Sequence, residues 1–278
     1  MAPHTNNSMK GRTTKAKIFT GREKTAVISG AGSGIGRAVA INLASSGVKL
    51  FLADISARGL SDTKRIIRHS GGDVQSMLCD VRSESAIKRF VANLRRNVDH
   101  IDILIMCAGV TSAGMIHETS LHDWNYIVST NLTGVFLTAR ELLPLMMDGS
   151  GASIVTIGSI SASVVGAGGG IAAYEASKAG VVQFTKALAV EYAPFAVRAN
   201  CISPGRIRTS LGDHAAQLAT DTYTSKRRMA RNVQERIAPL KRTGASAEIA
   251  ALVSFLCSSS ASFITGSEFV VDGGYTCL

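Results

Sequence analysis

Cysteine and proline are both scarce in this sequence, and each shortage excludes a class of protein. The chain has 278 residues and five cysteines, and no two cysteines form a CxxC motif. This pattern excludes a fold built on disulfides, so we interpret the cysteines as small buried residues in a reducing compartment. Five prolines stand against 27 glycines, which favours an α/β protein with tight strand-to-helix turns over a proline-rich linker protein.

Long apolar segments and metal-binding patterns are also missing. No apolar run reaches the ~18 residues that a membrane-spanning helix needs, and the N-terminus lacks the apolar stretch of a secretory signal. The six histidines show no metal-ligand spacing. We therefore expect no membrane partner, no metal and a cytoplasmic location. Mitochondrial import is the alternative, because the N-terminus is basic and nearly free of acids.

Positive charge is concentrated at the N-terminus. Residues 1–24 contain six basic side chains and one acid, which accounts for half of the net charge of +10. We interpret residues 1–22 as a flexible basic arm that precedes a single domain at 23–278. Since much of the excess charge belongs to this arm, the charge pattern does not indicate a nucleic-acid partner.

Short apolar runs alternate with longer amphipathic stretches along the rest of the chain. This pattern predicts a single doubly wound Rossmann-type α/β domain, with a parallel sheet of about seven strands and helices on both faces. Residues 206–240 carry a cluster of basic side chains, and we expect a mobile helical substrate lid there. The predicted strands lie at 25–29, 48–54, 74–79, 101–107, 153–159, 197–203 and 268–271, and the predicted helices at 34–46, 57–69, 84–97, 123–147, 172–192 and 247–257, with Pro144 expected to end or bend the fourth helix.

A glycine-rich turn, SGAGSGIG at residues 29–36, follows the first predicted strand and opens the first predicted helix. Glycine permits the tight turn and lets the backbone approach a pyrophosphate closely. The helix N-terminus adds free N–H groups and the positive end of the helix dipole. The turn therefore predicts a dinucleotide site with contacts from Gly30, Ser33, Gly34 and Ile35.

Asp54 ends the second predicted strand, about 20 residues after this turn. A carboxylate at that place accepts hydrogen bonds from the adenosine ribose hydroxyls and repels a 2′-phosphate. Ser33, just before Gly34, offers no basic group for a phosphate, although Arg58 lies near enough in the sequence to do so. We therefore predict NAD(H) as the cofactor, with NADP(H) as the alternative.

Tyr174 and Lys178 lie four residues apart on a predicted helix, so they share one face of it. A phenol has a pKa near ~10 and is a poor base at neutral pH. An ammonium group within ~4–6 Å favours the phenolate. The pair therefore predicts a tyrosine that exchanges a proton with a substrate oxygen while hydride moves at carbon.

A series of short motifs runs from about residue 22 to the end of the chain. The series consists of the SGAGSGIG turn, Asp54, Asp80-Val81, Cys107-Ala108-Gly109, Asn131, Ile157-Gly158-Ser159, Tyr174-Glu175-Ala176-Ser177-Lys178, Pro204-Gly205 with Thr209, and Asp272-Gly273-Gly274. No single motif is decisive, but the whole series occurs in the order typical of one family. The chain therefore resembles the classical short-chain dehydrogenases/reductases.

The resemblance implies an oxidoreductase whose catalytic residues are Asn131, Ser159, Tyr174 and Lys178. Ser159 would donate a hydrogen bond to the substrate oxygen, and Asn131 would hold a water that links Lys178 to solvent. Lys178 would also bind the nicotinamide ribose. For the cofactor, the resemblance implies Asp80 and Val81 beside the adenine, Ile207 and Thr209 beside the carboxamide, and further contacts from Cys107, Ala108, Gly109, Pro204 and Gly205.

Two departures from the family pattern bear on these roles. Cys107 stands where the family often has asparagine, and we expect a change in packing there without loss of activity. Ser159 lies 15 residues before Tyr174, a longer interval than the family usually has, and Ser161 satisfies the usual interval. We prefer Ser159 because it ends a predicted strand. The extra residues between Ser159 and Tyr174 would then enlarge the 166–170 loop. Ser161 is the alternative.

Three hypotheses about function stay open. The predicted pocket walls at 110–115 and 160–165 are largely apolar, which favours a secondary alcohol or ketone on a small molecule. The alternative is reduction of a 3-oxoacyl group on acyl carrier protein or CoA. Leu137 and Phe195 stand where carrier-dependent relatives have docking arginines, which counts against this alternative. The basic residues of the predicted lid support it, because they suit an acidic or CoA-linked substrate. The third is a non-catalytic NAD(H)-binding regulator, which the presence of Tyr174 and Lys178 disfavours.

The resemblance also bears on assembly. Family members commonly associate through the two long helices, predicted here at 123–147 and 172–192. Both helices have apolar faces, although packing within one chain would produce the same pattern. We therefore expect a homotetramer, with a homodimer as the alternative.

Overall fold

The computed structural model describes residues 19, 23–111, 114–165, 169–209, 211 and 238–278, and strands and helices alternate through them. The strands are β1 (Thr25–Ser29), β2 (Lys49–Asp54), β3 (Val74–Leu78), β4 (Ile103–Met106), β5 (Ala152–Ile157), β6 (Val197–Pro204), β7 (Ile207–Arg208), β8 (Gly244–Ala245) and β9 (Glu268–Val271). The helices are α1 (Gly34–Ser45), α2 (Ala57–His69), α3 (Glu84–Leu94), α4 (Leu121–Val128), α5 (Gly134–Leu142), α6 (Ala172–Tyr192) and α7 (Ser246–Cys257).

Seven of these strands form one parallel sheet in the order β3-β2-β1-β4-β5-β6-β9. The direction of winding changes between β1 and β4, which are neighbours in the sheet. Every residue of β1, β4 and β5 is buried, whereas the edge strands β3 and β9 are partly exposed. The predicted doubly wound Rossmann-type fold is therefore confirmed. In such a sheet the ligand crevice lies at the carboxyl ends of the strands beside the switch point.

The core lies on both faces of the sheet, because successive side chains of a strand point to opposite faces. In β2, Leu50 and Leu52 belong to one apolar cluster with residues of α1, α2 and α7. Phe51 and Ala53 belong to the other cluster, with residues of α3, α5 and α6. Near-continuous apolar strands are required for this arrangement, since both faces of the sheet are covered.

Two predicted segments are described only in part. Phe19 packs against the cluster that contains Leu50, so the predicted basic arm contacts the domain at that residue, and residues 1–18 and 20–22 lie outside the described part. Of the lid predicted at 206–240, residues 210 and 212–237 lie outside it as well. The two flanks of that segment meet, since β7 pairs with β8 in parallel.

The single helix predicted at 123–147 is wrong. A π-helical turn, Ser129–Thr133, separates α4 from α5, and α5 ends at Leu142 before a 3₁₀ turn that contains Pro144. Proline lacks the N–H that would continue the helix, and single π-helical turns are frequent at functional sites. None of the described helices is both long and apolar enough to cross a membrane.

The prediction that all five cysteines are buried is also wrong. Cys79 and Cys201 are buried, Cys107 and Cys257 are partly buried, and Cys277 is exposed. Cys277 departs from the pattern because it lies in the last 3₁₀ turn of the chain, outside the sheet.

Candidate active site

The glycine-rich turn begins where β1 ends, at the switch point of the sheet. Gly30 has a φ angle of +70°, and a Cβ atom there would lie 2.6 Å from the backbone nitrogen of Ala108. Only glycine permits both this conformation and this approach. The turn is therefore held against the Cys107-Ala108-Gly109 segment that follows β4, and two groups of predicted cofactor residues line one crevice.

Asp54 fixes the other side of the same turn. Its Oδ2 atom accepts a hydrogen bond from the Gly32 N–H at 2.8 Å, and its Oδ1 atom accepts one from the Ser56 N–H at 2.8 Å. A Cβ atom at Gly32 would lie 2.8 Å from the carboxyl carbon of Asp54. The carboxylate predicted to bind the ribose thus stands directly beside the glycine turn.

Two side chains that sequence analysis did not single out also hold the turn. The guanidinium of Arg37 donates to the carbonyl oxygen of Gly32 and, at 3.0 Å, to Oγ1 of Thr63. The Thr63 hydroxyl donates to the carbonyl oxygen of Ala31 at 2.9 Å. Hydrogen bonds from a charged donor are stronger than neutral ones. The sequence signal for Arg37 was that it is the single charged residue of α1.

The N-terminus of α1 faces the segment after β6. The side chain of Ser33 makes no capping hydrogen bond to a described residue, although serine at this place commonly makes one. A Cβ atom at Gly34 would lie 3.3 Å from the Thr209 side chain. Thr209 is therefore brought to the start of α1, where the first N–H groups lack partners within the helix, and Ile207 packs against the same apolar cluster as Ile35.

Pro204 and Gly205 are placed by the C-terminal motif. Pro204 is the last residue of β6, and the Gly205 N–H donates to the carbonyl oxygen of Val271 at 2.9 Å. A Cβ atom at Gly205 would lie 2.6 Å from Cβ of Asp272. The Pro-Gly and Asp-Gly-Gly motifs, far apart in the sequence, therefore pack directly against each other.

Asp80 and Val81 follow β3 on the far side of β2. The carboxylate of Asp80 accepts hydrogen bonds from the Arg82 guanidinium at 2.6 to 3.1 Å and from the Arg82 N–H at 2.9 Å. These hydrogen bonds hold the pKa of Asp80 below its ordinary value. Val81 is buried, and it touches α5, since a Cβ atom at Gly134 would lie 2.8 Å from its Cγ2.

Tyr174 and Lys178 lie on one face of α6, as predicted. The Nζ atom of Lys178 lies 5.7 Å from the centre of the Tyr174 ring and donates a hydrogen bond to the Ile157 carbonyl oxygen at 2.7 Å. Lys178 is only 5% exposed. Burial lowers its pKa to about 8, although the thiols of Cys201 and Cys107 act in the opposite direction. A Cβ atom at Gly109 would lie 3.5 Å from the same Nζ.

Asn131 is fully buried in the π-helical turn. Its Oδ1 accepts from the Val110 N–H at 2.8 Å, and its Nδ2 donates to the Val110 carbonyl oxygen at 2.9 Å and to Ser177 Oγ at 3.0 Å. The Ser177 hydroxyl donates in turn to the Tyr174 carbonyl oxygen at 2.7 Å. Asn131 therefore ties the segment after β4 to the turn of α6 that carries Tyr174. Ser177 is a positioning residue that sequence analysis missed.

Ser159 and Ser161 follow β5 and differ in their surroundings. Ser159 is buried at the strand end, and its Oγ accepts a hydrogen bond from the Ser161 N–H at 3.1 Å. Ser161 lies within the short 3₁₀ turn that Ser159 caps and is partly exposed. Of the 166–170 loop predicted next to them, residues 166–168 lie outside the described part. Gly170 accepts a hydrogen bond from the Gly114 N–H at 2.9 Å, which joins this loop to the predicted pocket wall at 110–115.

Cys107 stands at the end of β4, with its N–H donating to the Ser29 carbonyl oxygen at 3.1 Å. Burial raises the pKa of its thiol to about 12, against the attraction of the nearby Lys178 ammonium. The thiol is therefore neutral at physiological pH and acts as an apolar neighbour of Lys178. Within the described residues, no group of histidine, cysteine, aspartate and glutamate side chains could hold a metal ion.

Comparisons with known proteins agree with this geometry. Residues 30–276 match the family model described as enoyl-(acyl carrier protein) reductase. The chain is similar to the 2,3-dihydro-2,3-dihydroxybenzoate dehydrogenase of Bacillus subtilis, with 37% identity over 91% of this chain and 96% of that protein. It is also similar to a 3-oxoacyl-[acyl-carrier-protein] reductase of Salmonella typhimurium, with 33% identity over 90% and 96%.

A solved structure gives the same result. A short-chain type dehydrogenase/reductase from Mycobacterium marinum superposes with a TM-score of 0.83 and 34% identity, over 92% of this chain and 96% of that one. Enzymes of this kind use NAD(H) or NADP(H), act on small molecules and are usually oligomeric. The chain belongs to the short-chain dehydrogenase/reductase family and is an oxidoreductase that acts on CH–OH donors.

Proposed function

We propose that this enzyme interconverts a secondary alcohol and a ketone, with Tyr174 as general acid/base. The observation that carries the proposal is the position of Lys178, whose buried Nζ lies 5.7 Å from the centre of the Tyr174 ring. A positive charge at this range favours the phenolate. Tyr174 then has the two protonation states that the two directions of the reaction require.

The residues of the crevice fit a nicotinamide dinucleotide. Gly30 and Gly32 let the turn pack against Ala108 and Asp54 more closely than a Cβ atom would allow, and the uncapped start of α1 offers N–H groups to a pyrophosphate. When bound, the dinucleotide supplies or accepts the hydride. We assign the pyrophosphate to Gly30 and Ser33–Ile35, the adenine to Asp80 and Val81, and the carboxamide to Ile207 and Thr209.

Asp54 favours NAD(H) over NADP(H). Its two carboxylate oxygens lie beside the turn, each with one backbone N–H partner, and a carboxylate oxygen can accept a further hydrogen bond from a ribose hydroxyl. A phosphate at that place would meet a negative charge. Arg58 is exposed on the first turn of α2, so NADP(H) is the alternative.

The proton chemistry belongs to four side chains. In alcohol oxidation the Tyr174 phenolate takes the hydroxyl proton, and in ketone reduction the phenol returns it to the same oxygen. Ser159 donates a hydrogen bond to that oxygen, which stabilises alkoxide character. Lys178 holds the charge that favours the phenolate. We assign to Asn131 the role of holding a water molecule that links Lys178 to solvent.

A 3-oxoacyl thioester is the second candidate substrate, favoured by the similarity to a 3-oxoacyl-[acyl-carrier-protein] reductase. Two positions weaken it. Leu137 is buried, and Phe195 presents a partly exposed aromatic ring, so neither offers a cation to an acidic carrier. The dihydroxybenzoate dehydrogenase relative instead supports a ring alcohol as the substrate.

The apolar surface of α5 and α6 supports a homotetramer or a homodimer. Phe136 on α5 is 42% exposed, and Val190 on α6 is 77% exposed. Phe136 packs edge-on against Phe184, with ring centres 6.3 Å apart. Exposed aromatic and aliphatic side chains on adjacent helices are typical of a surface that is covered by another subunit.

The experiment that tests the function is NADH formation from NAD with a panel of secondary alcohols, sugars and hydroxysteroids, with NADP in parallel. Tyr174→Phe is compared with Tyr192→Phe, which removes a hydroxyl further along the same helix. We expect turnover with NAD that Tyr174→Phe abolishes and Tyr192→Phe retains. Full activity in Tyr174→Phe contradicts the assignment. NADH binding without turnover of any panel member favours the non-catalytic regulator instead.

A further inference from the structure

We propose that Arg37 is a positioning residue for the cofactor, because it holds the glycine turn so that the Ser33 N–H points at the pyrophosphate. The proposal rests on the proposed function, which assigns the pyrophosphate to Gly30 and Ser33–Ile35. Arg37 is the fourth residue of α1 and the single charged residue of that helix. A cation near the start of a helix is unfavourable for the helix itself, since the helix dipole is positive there. We therefore expect its role to lie outside the helix.

The side chain of Arg37 reaches from α1 to the turn and to α2. Its guanidinium donates to the carbonyl oxygen of Gly32 and, at 3.0 Å, to Oγ1 of Thr63. Thr63 lies on α2 and is fully buried, and its hydroxyl donates to the carbonyl oxygen of Ala31 at 2.9 Å. Two successive carbonyl oxygens in the middle of the turn are therefore held by side chains.

The packing of α2 gives the orientation of the Gly32 carbonyl a second time, independently of the arginine. A Cβ atom at Gly59, in the first turn of α2, would lie 2.7 Å from the carbonyl oxygen of Gly32, so this oxygen faces α2. The C=O and the N–H of one trans peptide unit point in opposite directions. The N–H of Ser33 belongs to the same peptide unit as the Gly32 carbonyl and therefore points away from α2. Ser33 is exposed, so this N–H lies on the open side of the turn.

The preceding peptide unit has the same arrangement but a different partner. Its carbonyl oxygen, on Ala31, accepts from Thr63, and its N–H, on Gly32, donates to Oδ2 of Asp54 at 2.8 Å. That N–H is therefore used within the protein, whereas no described residue accepts the Ser33 N–H. The Ser33 N–H is thus the donor that the turn can present to an anion at the start of α1.

The charge of Arg37 strengthens this donor. A hydrogen bond from a charged donor polarises the carbonyl that accepts it, and linked hydrogen bonds strengthen one another. The Ser33 N–H, in the same peptide unit as that carbonyl, becomes a better donor. The guanidinium is always charged and adds to the positive potential at the start of α1. Both effects favour an anionic pyrophosphate, and neither acts on hydride transfer, so Arg37 should control nucleotide affinity.

The test is fluorescence titration with NADH, followed by displacement of NADH with ADP-ribose, and it needs no turnover. The proteins are wild type, Arg37→Met, Arg37→Lys and Arg65→Met. Methionine removes the donors and keeps an apolar stem, whereas lysine keeps the charge and an N–H donor. The side chain of Arg65 is 77% exposed and pairs with Asp62, so Arg65→Met removes the same charge from the surface of α2.

We expect Arg37→Met to bind NADH and ADP-ribose at least ~10-fold more weakly than the wild type does. The two losses should be similar, because both ligands contain the pyrophosphate. Arg37→Lys should recover part of the affinity, and Arg65→Met should bind like the wild type. With a turned-over alcohol, KM for NAD should rise in Arg37→Met by the same factor, while kcat at saturating NAD stays within ~3-fold of the wild type.

Four results overturn the proposal. The first is an Arg37→Met protein whose NADH affinity stays within ~3-fold of the wild type. The second is a loss for NADH without a loss for ADP-ribose, which places the effect at the nicotinamide, and the third is a wild type from which ADP-ribose displaces no NADH. The fourth is an Arg37→Lys protein as impaired as Arg37→Met, which shows that Arg37 serves only the fold.

The proposed function fails separately from this proposal. NADH affinity that depends on Arg37, in a protein that oxidises no alcohol, keeps the positioning role and removes the dehydrogenase activity. Conversely, alcohol oxidation that requires Tyr174, in a protein whose NADH affinity does not depend on Arg37, keeps the activity and removes the positioning role.

Discussion

Lys178 reaches from α6 to the end of β5 and donates a hydrogen bond to the carbonyl oxygen of Ile157 at 2.7 Å. This contact fixes the ammonium group between the sheet and the Tyr174 ring. The thiols near it, Cys107 and Cys201, have pKa values that burial raises. Both thiols are thus neutral at physiological pH, and burial lowers the pKa of Lys178 from 10.5 to about 8.

The lowered pKa of Lys178 predicts a specific dependence of stability on pH. Between pH 8 and 10.5 the unfolded chain binds more protons at this lysine than the folded protein does, so the contribution of Lys178 to the free energy of unfolding should rise with pH across this window. The buried thiols of Cys107 and Cys201, whose pKa values are raised, contribute in the opposite direction, so the test is the difference between the wild type and a variant without the lysine. The rise should be on the order of 1–3 kcal/mol. Lys178→Met should lack it. Urea unfolding of both proteins from pH 7 to 11 measures the difference, and parallel curves contradict the prediction.

Ser159 should be the catalytic serine. Its Oγ accepts the Ser161 N–H, so the hydroxyl keeps its own proton for donation to the substrate. Loss of one such donor reduces kcat by about 10²–10³-fold, and we expect that loss in Ser159→Ala. Ser161→Ala should stay near wild type. Steady-state kinetics with the most active alcohol of the substrate panel measure both variants. A large loss of kcat in Ser161→Ala with little loss in Ser159→Ala would show that Ser161 is the catalytic serine.

Asp54→Asn should shift the cofactor preference toward NADP. The substitution removes the negative charge and keeps one side-chain oxygen for Gly32 or Ser56. We expect the ratio of kcat/KM for NAD to that for NADP to fall at least ~10-fold, about 1.4 kcal/mol of discrimination. Asp62→Asn makes the same chemical change at a residue on the surface of α2 that pairs with Arg65. An unchanged ratio in Asp54→Asn would remove Asp54 from the specificity site.

Gly30→Ala should destabilise the protein more than Gly149→Ala. Both glycines have positive φ angles, +70° and +79°, but a Cβ atom at Gly30 meets the backbone of Ala108 at 2.6 Å, whereas one at Gly149 meets nothing within 4 Å. Gly149→Ala therefore measures the cost of the backbone conformation alone, about 1 kcal/mol. Gly30→Ala should cost at least ~2 kcal/mol and weaken NADH binding. Equal losses of unfolding free energy would show that the crevice adapts to the methyl group.

The sequence predicted those parts of the fold that depend on local pattern. The bounds of β1, α2, α6 and β9 agree with the predicted ranges, because each segment has a clear apolar period and polar ends. The helix around Asn131 departs from prediction for a physical reason. Its π-helical turn lets Asn131 bond to Val110, and apolar spacing carries no signal for such a tertiary contact.

Contacts between residues that are distant in the chain could not be predicted from the sequence. The motifs predicted Gly30, Asp54 and Lys178 as site residues, but not that Arg37 and Thr63 hold the turn. They also did not show that Gly205 packs against Asp272. These contacts depend on how crossovers stack helices and strand ends, which no spacing within one segment encodes.

The Lys178 ammonium should make Tyr174 an effective base at neutral pH. The most direct measurement is kcat/KM for alcohol oxidation as a function of pH in the wild type and in Lys178→Met, with NADH binding measured on the same samples. We predict that the wild-type rate reaches its plateau well below pH ~10, the ordinary range of a phenol. In Lys178→Met we predict a loss of at least ~100-fold and an acid limb displaced to higher pH. If Lys178→Met still binds NADH and keeps the wild-type kcat/KM and the wild-type acid limb of the pH profile, Lys178 does not activate Tyr174.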